Sequence, residues 1–362
     1  MNEQSKIVLP AFLYIITGLI ILYLGGEWYI SAGGWDIYYI PVIITLVMLV
    51  IAIIIIKRTP RLQREFIPII EKKETGLSLG LKISFYFLLV LVIRQLMIWK
   101  YYNPWEKLPI VFLVLAQVMV VEKIQLRDVG LQSWTKKNIG CAMGLGGLEF
   151  VFTTGGIIIV TMLVFGFDAF SEIYICGQCQ LYWLSFPYQY LAVGFGEELL
   201  FRGYFYTKLR VFFIRNINGK QRDKMSFLYS MIITNVLFGL FHVPWYLGNW
   251  FAGNFSFDAT GALMRVISTG LMGVYFTYLY EKSGSIAGPM LIHGIGNSIQ
   301  PLFLFSNLGN PGTTLGTIIY DFRYIIIMLA SLLVYFLLIK KIYKSQSSRK
   351  PWKNLLAVQS NC

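Results

Sequence analysis

Apolar residues recur along this chain in long runs rather than in the short alternating stretches that build soluble cores. Runs near the roughly 20 residues that cross a bilayer begin at about Ile7, Ile37, Leu81, Leu108, Ile139, Ser185, Phe227, Gly261, Gly284 and Thr317. Each predicts a helix, because hydrocarbon leaves backbone N–H and C=O groups no other partner. The pattern predicts an all-α, polytopic transmembrane helix bundle of about ten spans. The fourth run, Leu108 to Val121, is short enough to be half-inserted. Ile7 to Leu24, preceded by the lone Lys6, is long for the apolar part of a leader and lacks a small-x-small cleavage pattern, so it reads as an uncleaved first span.

The polar positions between runs test this count, since Lys and Arg should collect in alternate, cytoplasmic connections. Lys57, Arg58, Arg61, Arg64, Lys72, Lys73 and Lys82 follow the second run, and Lys123, Arg127, Lys136 and Lys137 the fourth. Lys208, Arg210, Arg215, Lys220, Arg222 and Lys224 follow the sixth, and the tail is basic from Lys340 to Lys353. The intervening loops carry acids instead, except for the Lys100 to Lys107 connection. Both termini are therefore expected in the cytoplasm, and the protein in the cell membrane as a multi-pass integral component. The polar connection Glu122 to Asn138 suggests a division into residues 1–138, leading spans with basic loops, residues 139–345, a transmembrane core, and residues 346–362, a cytoplasmic tail.

Composition narrows the picture further. With 56% of residues apolar and 14% charged, a soluble fold would have to bury these runs in one core larger than such cores grow. The net charge of +13 lies in membrane-flanking loops with no RNA- or DNA-binding motif, so anionic lipid suffices as its partner and nucleic acid is excluded. Four cysteines cannot form a disulfide framework. Cys176 and Cys179 make a lone CxxC read as local structure, and Cys362 at the end provides no prenylation box.

Charges inside spans cost several kcal/mol and demand a reason. The sixth run contains Gly194-Phe195-Gly196-Glu197-Glu198-Leu199-Leu200-Phe201-Arg202. Glu198 and Arg202 are four apart on one helical face and can pair, which leaves Glu197, about 100° round the helix, free for another task. The seventh run has Phe238-Gly239-Leu240-Phe241-His242, and the ninth holds His293-Gly294-Ile295-Gly296-Asn297. The chain has only two histidines, and both fall in these clusters. A buried Glu and a His can activate water, while His and Asn donors can receive a developing oxyanion. Hydropathy limits place Glu197 and His242 roughly 10 Å apart along the bilayer normal, a gap that tilt or shifted boundaries must close. Arg94, near the end of the third run, is expected to snorkel, and Glu149 in the fifth is an unassigned candidate for the same cavity.

In order and spacing, Glu197-Glu198-x-x-x-Arg202, Phe238-x-x-x-His242 and His293-x-x-x-Asn297 resemble the three signature motifs of the CPBP family. These are the CAAX prenyl protease and bacteriocin-processing (Abi-like) intramembrane endopeptidases, and the resemblance covers roughly Ser185 to Phe305. It implies an intramembrane peptide hydrolase acting on membrane-associated, including prenylated, peptide or protein substrates that enter from the membrane or the cytoplasmic side. It further implies that Glu197 and His242 activate water, that His293 and Asn297 bind the oxyanion, and that Glu198 and Arg202 support the site, with Glu198 a candidate to share the base role. The implied chemistry needs no cofactor. Zinc on Glu197, His242 and His293 is the alternative, without an HExxH helix to favour it. The residues alone also admit a non-proteolytic scaffold or bacteriocin immunity protein, a proton-coupled transporter, or polar glue between helices. No inverted repeat supports transport.

Overall fold

The computed structural model describes residues 75–343, apart from short internal stretches of which the longest are 176–192 and 306–313. The first two predicted spans, Cys176, Cys179 and the 346–362 tail lie outside the described residues. α1 (Gly76–Tyr101) precedes the short α2 (Lys107–Ala116), a 3₁₀ turn at Leu126–Val129 and the long α3 (Lys136–Phe165). The helix with paired carboxylates runs as α4 (Phe195–Glu198), widens into π-helical winding over Leu199–Tyr206 and resumes as α5 (Thr207–Asn216). α6 (Arg222–Leu240), α7 (Ala259–Ser283), α8 (Ala287–Ile299) and α9 (Thr314–Ile342) follow. One short antiparallel ribbon pairs β1 (Ile173–Ile175) with β2 (Phe303–Phe305).

α1 illustrates how a helix with apolar residues on every side takes sides. Leu79, Ile83, Phe87, Val90, Arg94 and Ile98 recur every three or four residues and are buried. Leu77, Leu81, Phe85, Leu88, Val92 and Leu96 repeat the same spacing on the other face and are 44% to 74% exposed. In water such a stripe would drive aggregation, whereas in a bilayer it is the lipid face. α9 does likewise, with Phe322, Ile326, Leu329, Leu333 and Leu337 outward and Ser331, Tyr335 and Ile339 inward. Five helices among the described residues are long and apolar enough to cross a membrane, falling in α1, α3, α6 with its following turn, α7 and α9. The protein is thus an all-helical, multi-pass integral membrane protein. α2 and α8, at 10 and 13 residues, are too short for a full crossing.

Local chemistry sets the helix ends. Asp258 caps α7 by accepting the Gly261 N–H at 2.9 Å, and Gly284 stops it in the left-handed region at φ 70°. α3 packs on α8 and α9, and α7 packs on α6 and α9. The α6–α7 contact depends on Gly239, where a Cβ would meet the Val266 carbonyl oxygen at 2.5 Å. At one end of the bundle Glu122 gathers Lys208 at 2.8 Å, Lys82 at 3.4 Å and the Tyr204 hydroxyl at 2.8 Å, tying α1 and α5 to the π-helical segment. Burial pushes the Glu122 carboxyl up, but Lys208, Lys82 and Tyr204 together pull it further down, so it lies below its ordinary value.

Candidate active site

Three helices bring the motif residues together. Glu198 and Arg202 pair one turn apart at 3.1 Å with both side chains fully buried. The guanidinium also donates to Asn235 Oδ1 at 3.2 Å and the Gly273 carbonyl at 3.0 Å, and it lies over the Phe238 ring at 4.3 Å. These contacts fasten the acidic helix to α6 and α7 through one planar donor. Glu198 Oε1 then accepts from His293 Nδ1 at 2.9 Å. Because a carboxylate oxygen accepts, Nδ1 carries the proton and Nε2 is the nitrogen presented onward, 3.7 Å from Glu197 Oε2. The His293 ring stacks on Phe276 at 5.3 Å, which fixes its plane.

Glu197 is not free as expected. Its Oε1 takes a hydrogen bond from Lys107, the first residue of α2, and Arg94 of α1 stands 3.8 Å away. Both cations are at most 2% exposed and lie over the Phe241 ring at 4.4 Å and 4.0 Å. Arg94 therefore does not snorkel: it belongs to the buried face of α1, and a buried carboxylate without countercharge would be strongly destabilising. Lys107, at the edge of the one connection that breaks the alternation of basic loops, opens α2 and is a partner of Glu197. Glu197 Oε2, by contrast, is buried with no hydrogen-bond partner among the described residues.

His242 lies just beyond the end of α6 at Leu240 and donates from Nδ1 to the Phe238 carbonyl at 2.9 Å, so its Nε2 keeps the lone pair. Its ring meets Phe238 and Phe241 edge-on at 5.2 Å and 5.7 Å. Glu197 and Arg94 both lie within electrostatic reach of His242. His242 is therefore close enough to Glu197 for their charges to interact, and α6 ends two residues before this histidine. Asn297 follows His293 by one turn of α8, and the two line a cavity of about 220 Å³ together with Glu149, Gly296, Arg265 and Thr269.

Glu197 faces two cations, and among the described residues no three His, Cys, Asp or Glu side chains are grouped as a cation site. Residues 179–299 match the family described as type II CAAX prenyl endopeptidase Rce1-like. No curated protein and no solved structure matches the chain. The matched segment contains Glu197, Glu198, Arg202, Phe238, His242, His293 and Asn297, whereas Arg94, Lys107 and Glu149 precede it.

Proposed function

We propose, from the match of residues 179–299 to the family described as type II CAAX prenyl endopeptidase Rce1-like, that this membrane protein hydrolyses peptide bonds of membrane-associated substrates with water activated by Glu197 and His242. The observation that carries the reading is the division of labour on Glu197. Lys107 and Arg94 hold Oε1, while Oε2 is buried, without a hydrogen-bond partner among the described residues, and 3.7 Å from His293 Nε2. A water between Oε2 and the His242 lone pair gives its proton to the carboxylate and adds to the scissile carbonyl carbon. The electron pair of the carbonyl moves to oxygen, and the Asn297 amide and His293 Nε2–H donate to it. Donation from Nε2 requires a second proton on His293, with Glu198 as its countercharge once Glu197 has taken the proton from water. Collapse of the adduct breaks the C–N bond as the proton passes from Glu197 to the leaving amine.

Glu198 and Arg202 position rather than react, since both are consumed by the contacts that join the helices. Substrates reach the cluster from lipid or the cytoplasmic side, and prenylated tails are the class suggested by the family. No cofactor takes part. The test is cleavage of membrane-anchored and prenylated reporters by purified wild type, His242→Ala and Asn297→Ala, with and without chelator. Loss of roughly 10²- to 10³-fold in kcat for the Asn297 change, as for other oxyanion donors, and indifference to chelator are expected. Activity that disappears with chelator would replace this mechanism with a metal-dependent one.

A further inference from the structure

Glu149 takes no part in the mechanism above, yet it stands in the middle of a spanning helix and is 3% exposed. A carboxylate at that depth costs several kcal/mol, so its presence calls for a partner. The Thr153 hydroxyl donates to Oε1 at 3.1 Å, but Oε2 is buried and has no hydrogen-bond donor among the described residues. It is not sealed in the core. Glu149 lines the same cavity of about 220 Å³ as His293 and Asn297, and a Cβ added at Gly296 would lie 3.4 Å from Oε2. The unpartnered acceptor thus overlies the α8 turn between the two residues that face the reacting carbonyl.

A peptide entering this cavity has the complementary deficit. Each backbone N–H leaves water on entry and costs free energy unless an acceptor receives it. With one carbonyl at His293 and Asn297, a neighbouring N–H of an extended chain comes within about 3 to 4 Å of that position. We propose that Glu149 is a substrate-positioning residue whose Oε2 accepts a backbone N–H of the bound peptide beside the scissile bond. Identifying that bond as scissile rests on the peptidase reading, whereas the binding does not. The carboxylate then carries a stability cost in the empty protein that substrate offsets, a trade common at binding sites.

The experiment reads binding rather than cleavage. A fluorescent membrane-anchored peptide is titrated against the full chain in lipid nanodiscs, with Glu197→Gln in every arm to prevent turnover. Glu149→Leu should weaken binding tenfold or more, the usual size for a lost hydrogen bond to a charged group, and should melt no lower than its parent. Glu149→Gln retains an acceptor oxygen and should stay within about threefold. N-methylation of the peptide nitrogens one at a time should reproduce the tenfold loss at a single position, and that position should be silent in the Glu149→Leu protein. Equal binding by Glu149→Leu, a scan with no sensitive position, or no binding of any peptide overturns the proposal. If Glu149→Leu fails to fold, the scan on the parent and the Glu149→Gln titration decide. A chain that binds as described but cleaves nothing when Glu197 is restored would sustain this assignment and reject the peptidase.

Discussion

Lys107→Met isolates the least expected part of the site. Methionine keeps most of the stem length and the apolar contact with Phe241 but removes the charge that meets Glu197. Unit charges about 4 Å apart interact by about 4 kcal/mol at an effective dielectric near 20, and removing one member of a buried pair costs about 3–5 kcal/mol. Arg94 remains 3.8 Å from the carboxylate, so the lower end applies and a loss of about 3 kcal/mol is expected. Adding Glu197→Gln to Lys107→Met removes the uncompensated charge and should restore at least about 2 kcal/mol, the signature of a coupled pair. The assay is reversible unfolding in mixed micelles, completed as a double-variant cycle. A Lys107→Met protein within about 0.5 kcal/mol of wild type, or a double variant no more stable than it, would refute the pairing.

Other consequences follow from single contacts. Gly239→Ala places a methyl 2.5 Å from the Val266 carbonyl oxygen, so α6 and α7 must separate, and a loss of about 1–3 kcal/mol in micelle unfolding is expected together with reduced reporter cleavage. Glu122 has a folded-state pKa below its ordinary 4.5, so its contribution to stability is present above that value and is lost as pH falls through the lower folded one. Unfolding measured from pH 7 down through 4 should show this acid limb, and Glu122→Gln should flatten it. Arg202→Lys keeps the charge but loses the planar fork whose two nitrogens reach Glu198, Asn235 and Gly273, so it should lower melting temperature and activity together, while a fully active, equally stable variant would deny the bridging role.

The motif residues were legible because charge stands out against an apolar run: Glu197, Glu198 and Arg202 could not be lipid-facing, and the chain's two histidines both fall in the motif clusters. The pairing of Glu198 with Arg202 followed from their spacing alone. Arg94 and Lys107 were not legible, for a physical reason. In water an inward face announces itself by contrast with a polar one, but α1 is apolar all round, and nothing in its spacing says that Val90, Arg94 and Ile98 point inward while Val92 and Leu96 meet lipid. Lys107 opens a short helix at a run boundary, where a lysine resembles an ordinary loop charge. Glu149 was visible as a charge in a span, but its orientation toward α8 depends on how α3 packs. The π-helical winding after Glu198 has no sequence signal that distinguishes it from an α-helix, and hydropathy overran the end of α6, which stops two residues before His242.

The most direct measurement is mass spectrometry of a prenylated, membrane-anchored reporter incubated with purified wild type and with Glu197→Gln, each in the presence of chelator. The account predicts a single hydrolysed bond with wild type and none with Glu197→Gln, whose neutral amide still fills the space beside Lys107 but cannot take a proton from water. Undiminished cleavage by Glu197→Gln, or an intact reporter with folded wild type, would contradict it.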